Sequence, residues 1–114
     1  WQMVRQLGYR RAFEAIIEGH KIPAAQAVEW GLSNKMVADV SLQQEARDWA
    51  ARLAQAAPLS VRHVKKVLRA AMDQDLEATI DQESVRQNEC IGSKDFAEGV
   101  SAFFEKRSPA FKGR

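Results

Sequence analysis

The sequence predicts an all-α chain. Apolar residues recur three and four positions apart through most of its length, glycines and prolines punctuate that pattern, and no stretch reads as a run of strands. About five or six helices joined by short turns are expected, with no internal repeat and no low-complexity linker.

The elements follow in order. Met3 to Leu7 is a short helical turn stopped by Gly8. Tyr9 to Glu18 carries Ala12, Phe13, Ile16 and Ile17 on one face, and Gly19 is its expected left-handed terminator. Pro23 suits the first position of a helix running from Ala24 to Trp30, which Gly31 ends. Leu32 to Val40 reads as a loop or short extended stretch. Ser41 and Gln44 have capping-box spacing and open a helix to Ala57, with Leu42, Ala46, Trp49, Ala50, Leu53 and Ala54 following the period. Pro58 breaks that helix and opens another, with Val61, Val64, Val67, Leu68 and Ala71 inward. Asp73 to Asp75 connects to a weaker amphipathic helix, Leu76 to Ile91, closed by Gly92.

The last stretch organises the rest. Ser93 is placed to cap a helix whose first turns hold Asp95 and Glu98, where the positive helix end favours anions. Lys106 and Arg107 fall in its last turn, and Pro109 forbids continuation. Phe96, Val100, Phe103 and Phe104 form its apolar face. Phe103 and Lys106, three apart, share one side, so an aromatic ring and an ammonium stand together. Such a pair can hold a purine and a phosphate. Equally, Phe103 can be core and Lys106 can complement the helix dipole.

Composition narrows the class. The chain has 114 residues, 46% hydrophobic and 28% charged, which suits one globular domain at most. No apolar run reaches the length of a membrane span, and no signal peptide is visible. A net charge of +2 does not by itself imply nucleic acid. Arg62, His63, Lys65, Lys66 and Arg69 read as a solvated basic face, because no interleaved aromatic supports base stacking. The single cysteine, Cys90, excludes an internal disulfide and reads as a structural thiol. His20 and His63 have no sequence neighbours at metal-ligand spacing and read as surface or packing residues. Glu83 reads as a solvated carboxylate. Trp1, Trp30 and Trp49 read as packing residues. No nucleophile elbow and no phosphate-binding glycine motif occurs. The chain opens on Trp1 in mid-pattern and reads as a piece of a longer protein.

The closing segment Asp95-x-x-Glu98-Gly99-x-x-Ala102-Phe103-x-x-Lys106-Arg107-x-Pro109-x-Phe111-x-Gly113 resembles the C-terminal signature of the crotonase (enoyl-CoA hydratase/isomerase) superfamily. The segment from Gly8 to Leu32 is similar to the family's pattern of spaced glycines and alanines, through Ala12, Glu14, Gly19, Ala27 and the Gly31-Leu32 pair. The helix ending at Pro58 and the lysine-bearing helix after it also fit, so the resemblance spans nearly the whole chain.

That resemblance implies a spiral of ββα units upstream of Trp1 and a helical C-terminal region here, residues 1–114, serving trimerisation and one edge of the CoA site. It implies a homo-oligomer, a trimer or dimer of trimers, and an acyl-CoA substrate. There would be no bound cofactor, because CoA is part of the substrate, and neither nucleic acid nor membrane would be a partner. The reaction it implies is hydration or isomerisation of 2-enoyl-CoA thioesters through an enolate held in an oxyanion hole. The catalytic residues would lie upstream, so this segment alone is expected to be inactive. Phe103 and Lys106 would lie near the CoA adenine and phosphates. A cytoplasmic location is expected, or the mitochondrial matrix in a eukaryote. The alternative is a stand-alone helical interaction domain that binds partner helices and no CoA.

Overall fold

The computed structural model describes residues 1–19 and 21–114, so the expectation for His20 lies outside the described residues. Six helices follow one another: α1 (Gln2–Glu18), α2 (Ala24–Glu29), α3 (Asp39–Leu53), α4 (Pro58–Ala70), α5 (Leu76–Ile91) and α6 (Lys94–Glu105). Among the described residues there is no strand. The chain divides into two compact units, Trp1–Glu45 and Ala46–Arg114, with the division inside α3.

In the first unit, glycine geometry sets the course of the chain. Gly8 breaks α1 with φ 74 and ψ 165, so the two helical pieces expected from sequence meet at this residue. Gly19 ends α1 in the left-handed conformation, with φ 62. Leu7 and Ala12, on either side of the break, are the buried apolar residues of α1. Pro23 stands one position earlier than expected: its extended ψ of 150 makes it the cap before α2. The Arg11 guanidinium lies 5.4 Å from the ring centroid of Trp30. Trp1 does not pack within these residues; it is exposed, with the Arg5 guanidinium 5.3 Å from its ring.

The expected capping box at Ser41 does not form. α3 already begins at Asp39, whose carboxylate lies in the first turn, and the Ser41 N–H donates to Ala38 O at 2.9 Å. An earlier acidic start serves the helix end as well as a Ser cap. α3 also stops at Leu53 rather than Ala57, through a turn that leads to Pro58.

In the second unit α4 packs on α5 and α5 on α6. Pro58 occupies the first turn of α4, as its fixed φ and missing N–H favour. Asp75 caps α5 by accepting the Ala78 N–H at 2.8 Å. The inward face of α4 differs from expectation. His63 and Val67, one helical turn apart, are buried, whereas Val61, Val64 and Leu68 are exposed. One neighbouring helix covers the middle of the stripe and leaves its flanks open. His63 therefore leaves the basic face, which retains Arg62, Lys65, Lys66 and Arg69.

Candidate functional site

The site is the junction of α6 with the tail that follows Arg107. It starts at Ser93, whose Oγ accepts the Phe96 N–H at 3.1 Å and donates to Cys90 O at 2.6 Å. One hydroxyl thus caps α6 and ties it to the end of α5.

Asp95 and Glu98 do more than complement the helix dipole. Asp95 is 4% exposed. Its Oδ1 accepts the Lys112 N–H and its Oδ2 the Gly113 N–H, both at 2.7 Å, while its own N–H donates to Arg114 O at 3.1 Å. A buried carboxylate is tolerable when such donors replace its water. Glu98 Oε1 accepts the Ala110 N–H at 2.8 Å, and its two oxygens receive Arg107 Nη1 and Nη2 at 2.6 and 3.0 Å. The two carboxylates, one turn apart, pull the tail back along α6.

The small residues of the segment have matching roles. A Cβ on Gly99 would stand 3.5 Å from the Phe111 ring, so the ring lies close over the helix there. Gly113 has φ 76, and a Cβ on it would stand 3.4 Å from Pro58 Cβ, which brings the tail to the start of α4.

Pro109 is not what stops α6. Lys106 takes φ 55 and ψ 37, its N–H faces Phe103 O at 3.3 Å, and the Arg107 N–H donates to Ala102 O at 3.1 Å. This is a left-handed helix stop of the kind normally given to glycine. Lys106 is the one non-glycine residue at positive φ among the described residues. Arg107, expected in the last turn, lies past the helix and bridges Glu98 and, through Nε at 2.5 Å, Glu105. These bonds hold the Glu98 carboxyl down at about 2, with the Arg107 hydrogen bond as the largest cause and the Ala110 N–H next; the bonds to Glu98 and then Glu105 raise Arg107.

Phe103 and Phe104 are 79% and 76% exposed and meet edge to face, with centroids 5.7 Å apart. The buried residues of α6 are Asp95 and Ala102, so its expected apolar face is largely open, Phe96 and Val100 included. Phe103 is therefore not part of a core formed by these residues. An apolar groove of about 380 Å³ runs beside it, lined by Ser60, Cys90, Phe96, Val100, Phe104 and Phe111 among others.

Of the remaining chemically active side chains, Cys90 lines this groove. His63 is a buried packing residue, and its Nε2 lies 2.9 Å from Glu89 Oε2. The approach is close but poorly aligned, since neither ring nitrogen makes a directed hydrogen bond. Glu89 itself is forked by Arg86 at 2.8 and 3.0 Å. That carboxylate is distant from His63 in sequence, so local spacing gives no sign of it. Cys90 Sγ receives the Ser60 hydroxyl at 3.5 Å, and Glu83 is exposed. Among the described residues no three His, Cys, Asp or Glu side chains gather as a metal site. No helix among them is long and apolar enough to cross a membrane.

Fold and tail geometry define a helical region whose last helix carries an exposed Phe103 and ends on a left-handed Lys106 beside a clasped tail. The enoyl-CoA hydratase/isomerase family model matches residues 1–114, and the chain belongs to that family. It is 39% identical over its whole length to a probable enoyl-CoA hydratase of Rhodobacter capsulatus and covers 44% of that protein. It is 34% identical, again over its whole length, to the 1,2-epoxyphenylacetyl-CoA isomerase of Escherichia coli K12, also covering 44%. The crystal structure of the enoyl-CoA hydratase from Bacillus anthracis superposes with a TM-score of 0.94 at 34% identity, over 99% of this chain and 44% of that one. The chain thus spans less than half the length of these relatives, and its helices are similar to one region of their fold.

Proposed function

We propose that this chain is the C-terminal part of an enzyme acting on 2-enoyl-CoA thioesters, with hydration or isomerisation as its reaction. In this reading the chain supplies subunit contacts in a trimer or dimer of trimers and one edge of the CoA site. Phe103 lies against the adenine and Lys106 meets the phosphates. CoA enters as part of the substrate, with no resident cofactor. The oxyanion-hole amides and acid–base carboxylates belong to polypeptide outside these residues, and the bacterial relatives fit a cytoplasmic enzyme.

The observation that carries the reading is the backbone of Lys106. A left-handed non-glycine residue costs about 1–2 kcal/mol relative to the right-handed form. Glycine would satisfy the same stop without that cost. A lysine there fits a need for its side chain, and that ammonium makes no hydrogen bond or ion pair among the described residues. The adjacent exposed Phe103 fits a ring that waits for a flat partner. The open faces of α4 and α6 fit surfaces that pack against further polypeptide, a neighbouring subunit or the remainder of the same enzyme. A stand-alone interaction domain shares those faces but gives no account of Lys106.

The test is Lys106→Ala in the intact protein. CoA affinity falls, while turnover at saturating substrate changes less. Unchanged affinity, with only a loss of a few tenths to about 1 kcal/mol in stability, would reduce Lys106 to a helix cap.

A further inference from the structure

We infer that Glu98 and Arg107 are positioning residues for Lys106: their forked ion pair, together with the tail it retains, holds the lysine in its left-handed conformation and aims its ammonium at the phosphate end of a CoA ligand. The inference rests on the proposed CoA role of Lys106 and adds what maintains it.

Arg107 is the residue next to Lys106, and it is held at both its main chain and its side chain. Its N–H is held by Ala102 O at 3.1 Å, and its guanidinium by Glu98 at 2.6 and 3.0 Å and by Glu105 at 2.5 Å. A sparsely populated backbone conformation persists when its surroundings over-determine it. Here the two residues flanking Lys106, Glu105 and Arg107, are bonded to each other across it. Glu98 then extends the hold to the tail through the Ala110 N–H at 2.8 Å.

Electrostatics point the same way. Glu98 and Glu105 are two carboxylates close to where an anionic ligand would approach. Left unpaired, they would repel it. Arg107 pairs with both through one planar fork and offsets one of their two charges, a geometry that lysine cannot reproduce. The Lys106 ammonium is then left for the ligand. The signature residues Glu98 and Arg107 thus serve the ligand without touching it.

The test uses the intact protein, with CoA itself as the titrant in calorimetry and amide hydrogen exchange as a second readout. Glu98→Gln keeps an acceptor for Ala110 but removes the charge that holds Arg107. It should weaken CoA binding by about threefold to tenfold, within the range of direct neighbour coupling. It should also speed exchange at Arg107 and Ala110. In a Lys106→Ala background the same change should have no further effect on CoA affinity. Arg107→Lys, which keeps the charge and loses the fork, repeats the measurement if Glu98→Gln fails to fold. If Lys106→Ala leaves CoA binding intact, the CoA role of Lys106 is wrong. If Lys106→Ala weakens binding but the clasp variants bind as wild type, the CoA role stands and the positioning role is overturned. Equal losses from Glu98→Gln with and without Lys106 would also overturn it, because the clasp would then act on the fold at large.

Discussion

The Gly113 N–H donates to Asp95 Oδ2 at 2.7 Å across 18 residues of sequence, and the Lys112 N–H donates to Oδ1 at the same distance. A carboxylate in the first turn of α6 therefore satisfies the end of the chain as well as its own helix. Asp95→Asn turns one acceptor into an amide donor facing another donor. The loss should be about 1.5–3 kcal/mol, the range for a hydrogen bond to a charged group. Denaturant unfolding measures it, and a change below about half a kilocalorie would mean the tail is not held by this residue.

The glycines of the tail clasp should respond in opposite directions. Gly99 lies inside α6 with no strained dihedral, and an added Cβ would meet the Phe111 ring at an ordinary 3.5 Å. Gly99→Ala should be neutral or stabilising by up to about 1 kcal/mol, as expected for alanine over glycine within a helix. Gly113 combines φ 76 with a Cβ position 3.4 Å from Pro58. Gly113→Ala should destabilise by about 1–2 kcal/mol. Thermal melts of the pair decide the point; equal behaviour would contradict the docked tail.

Acid should open the clasp late. Glu98 titrates at about 2 in the folded chain against 4.5 for the free group, because Arg107 and the Ala110 N–H favour its charged form. A depressed folded value means that its contribution is complete above pH 4.5 and is lost as pH falls towards 2. The carboxylate is partly exposed, so salt should reduce the effect. The melting difference between wild type and Glu98→Gln should hold from neutral pH to about 4.5 and close below it. A difference independent of pH would place the effect in shape rather than charge.

Much of this is legible in the chain itself. The helix stops at Gly8, Gly19, Gly31 and Gly92, the Pro58 start and the Ser93 cap follow from local backbone chemistry, which sequence reports directly. The capping box at Ser41 fails because a competing acidic start two residues earlier serves the same end. Periodicity overstates the inward face of α4, since it shows which side is apolar but not how many neighbours cover it. The clasp is hidden for a different reason: Asp95 and Glu98 suit a helix start on dipole grounds alone. Local spacing carries no signal of it, because the backbone partners of Asp95 and Glu98 in the tail lie 12 to 18 residues further along the chain. The left-handed Lys106 has no local signal, because lysine is a common residue near helix ends.

Lys106→Gly in the intact protein tests most directly whether Lys106 keeps an unfavourable backbone conformation for the sake of a CoA ligand. A thermal melt is paired with calorimetric titration of CoA. Relief of the left-handed conformation should raise stability by about 1 kcal/mol. Loss of the ammonium should weaken CoA binding by about tenfold, the equivalent of one charge-assisted hydrogen bond. A variant that melts higher and binds CoA as tightly as wild type would contradict the account.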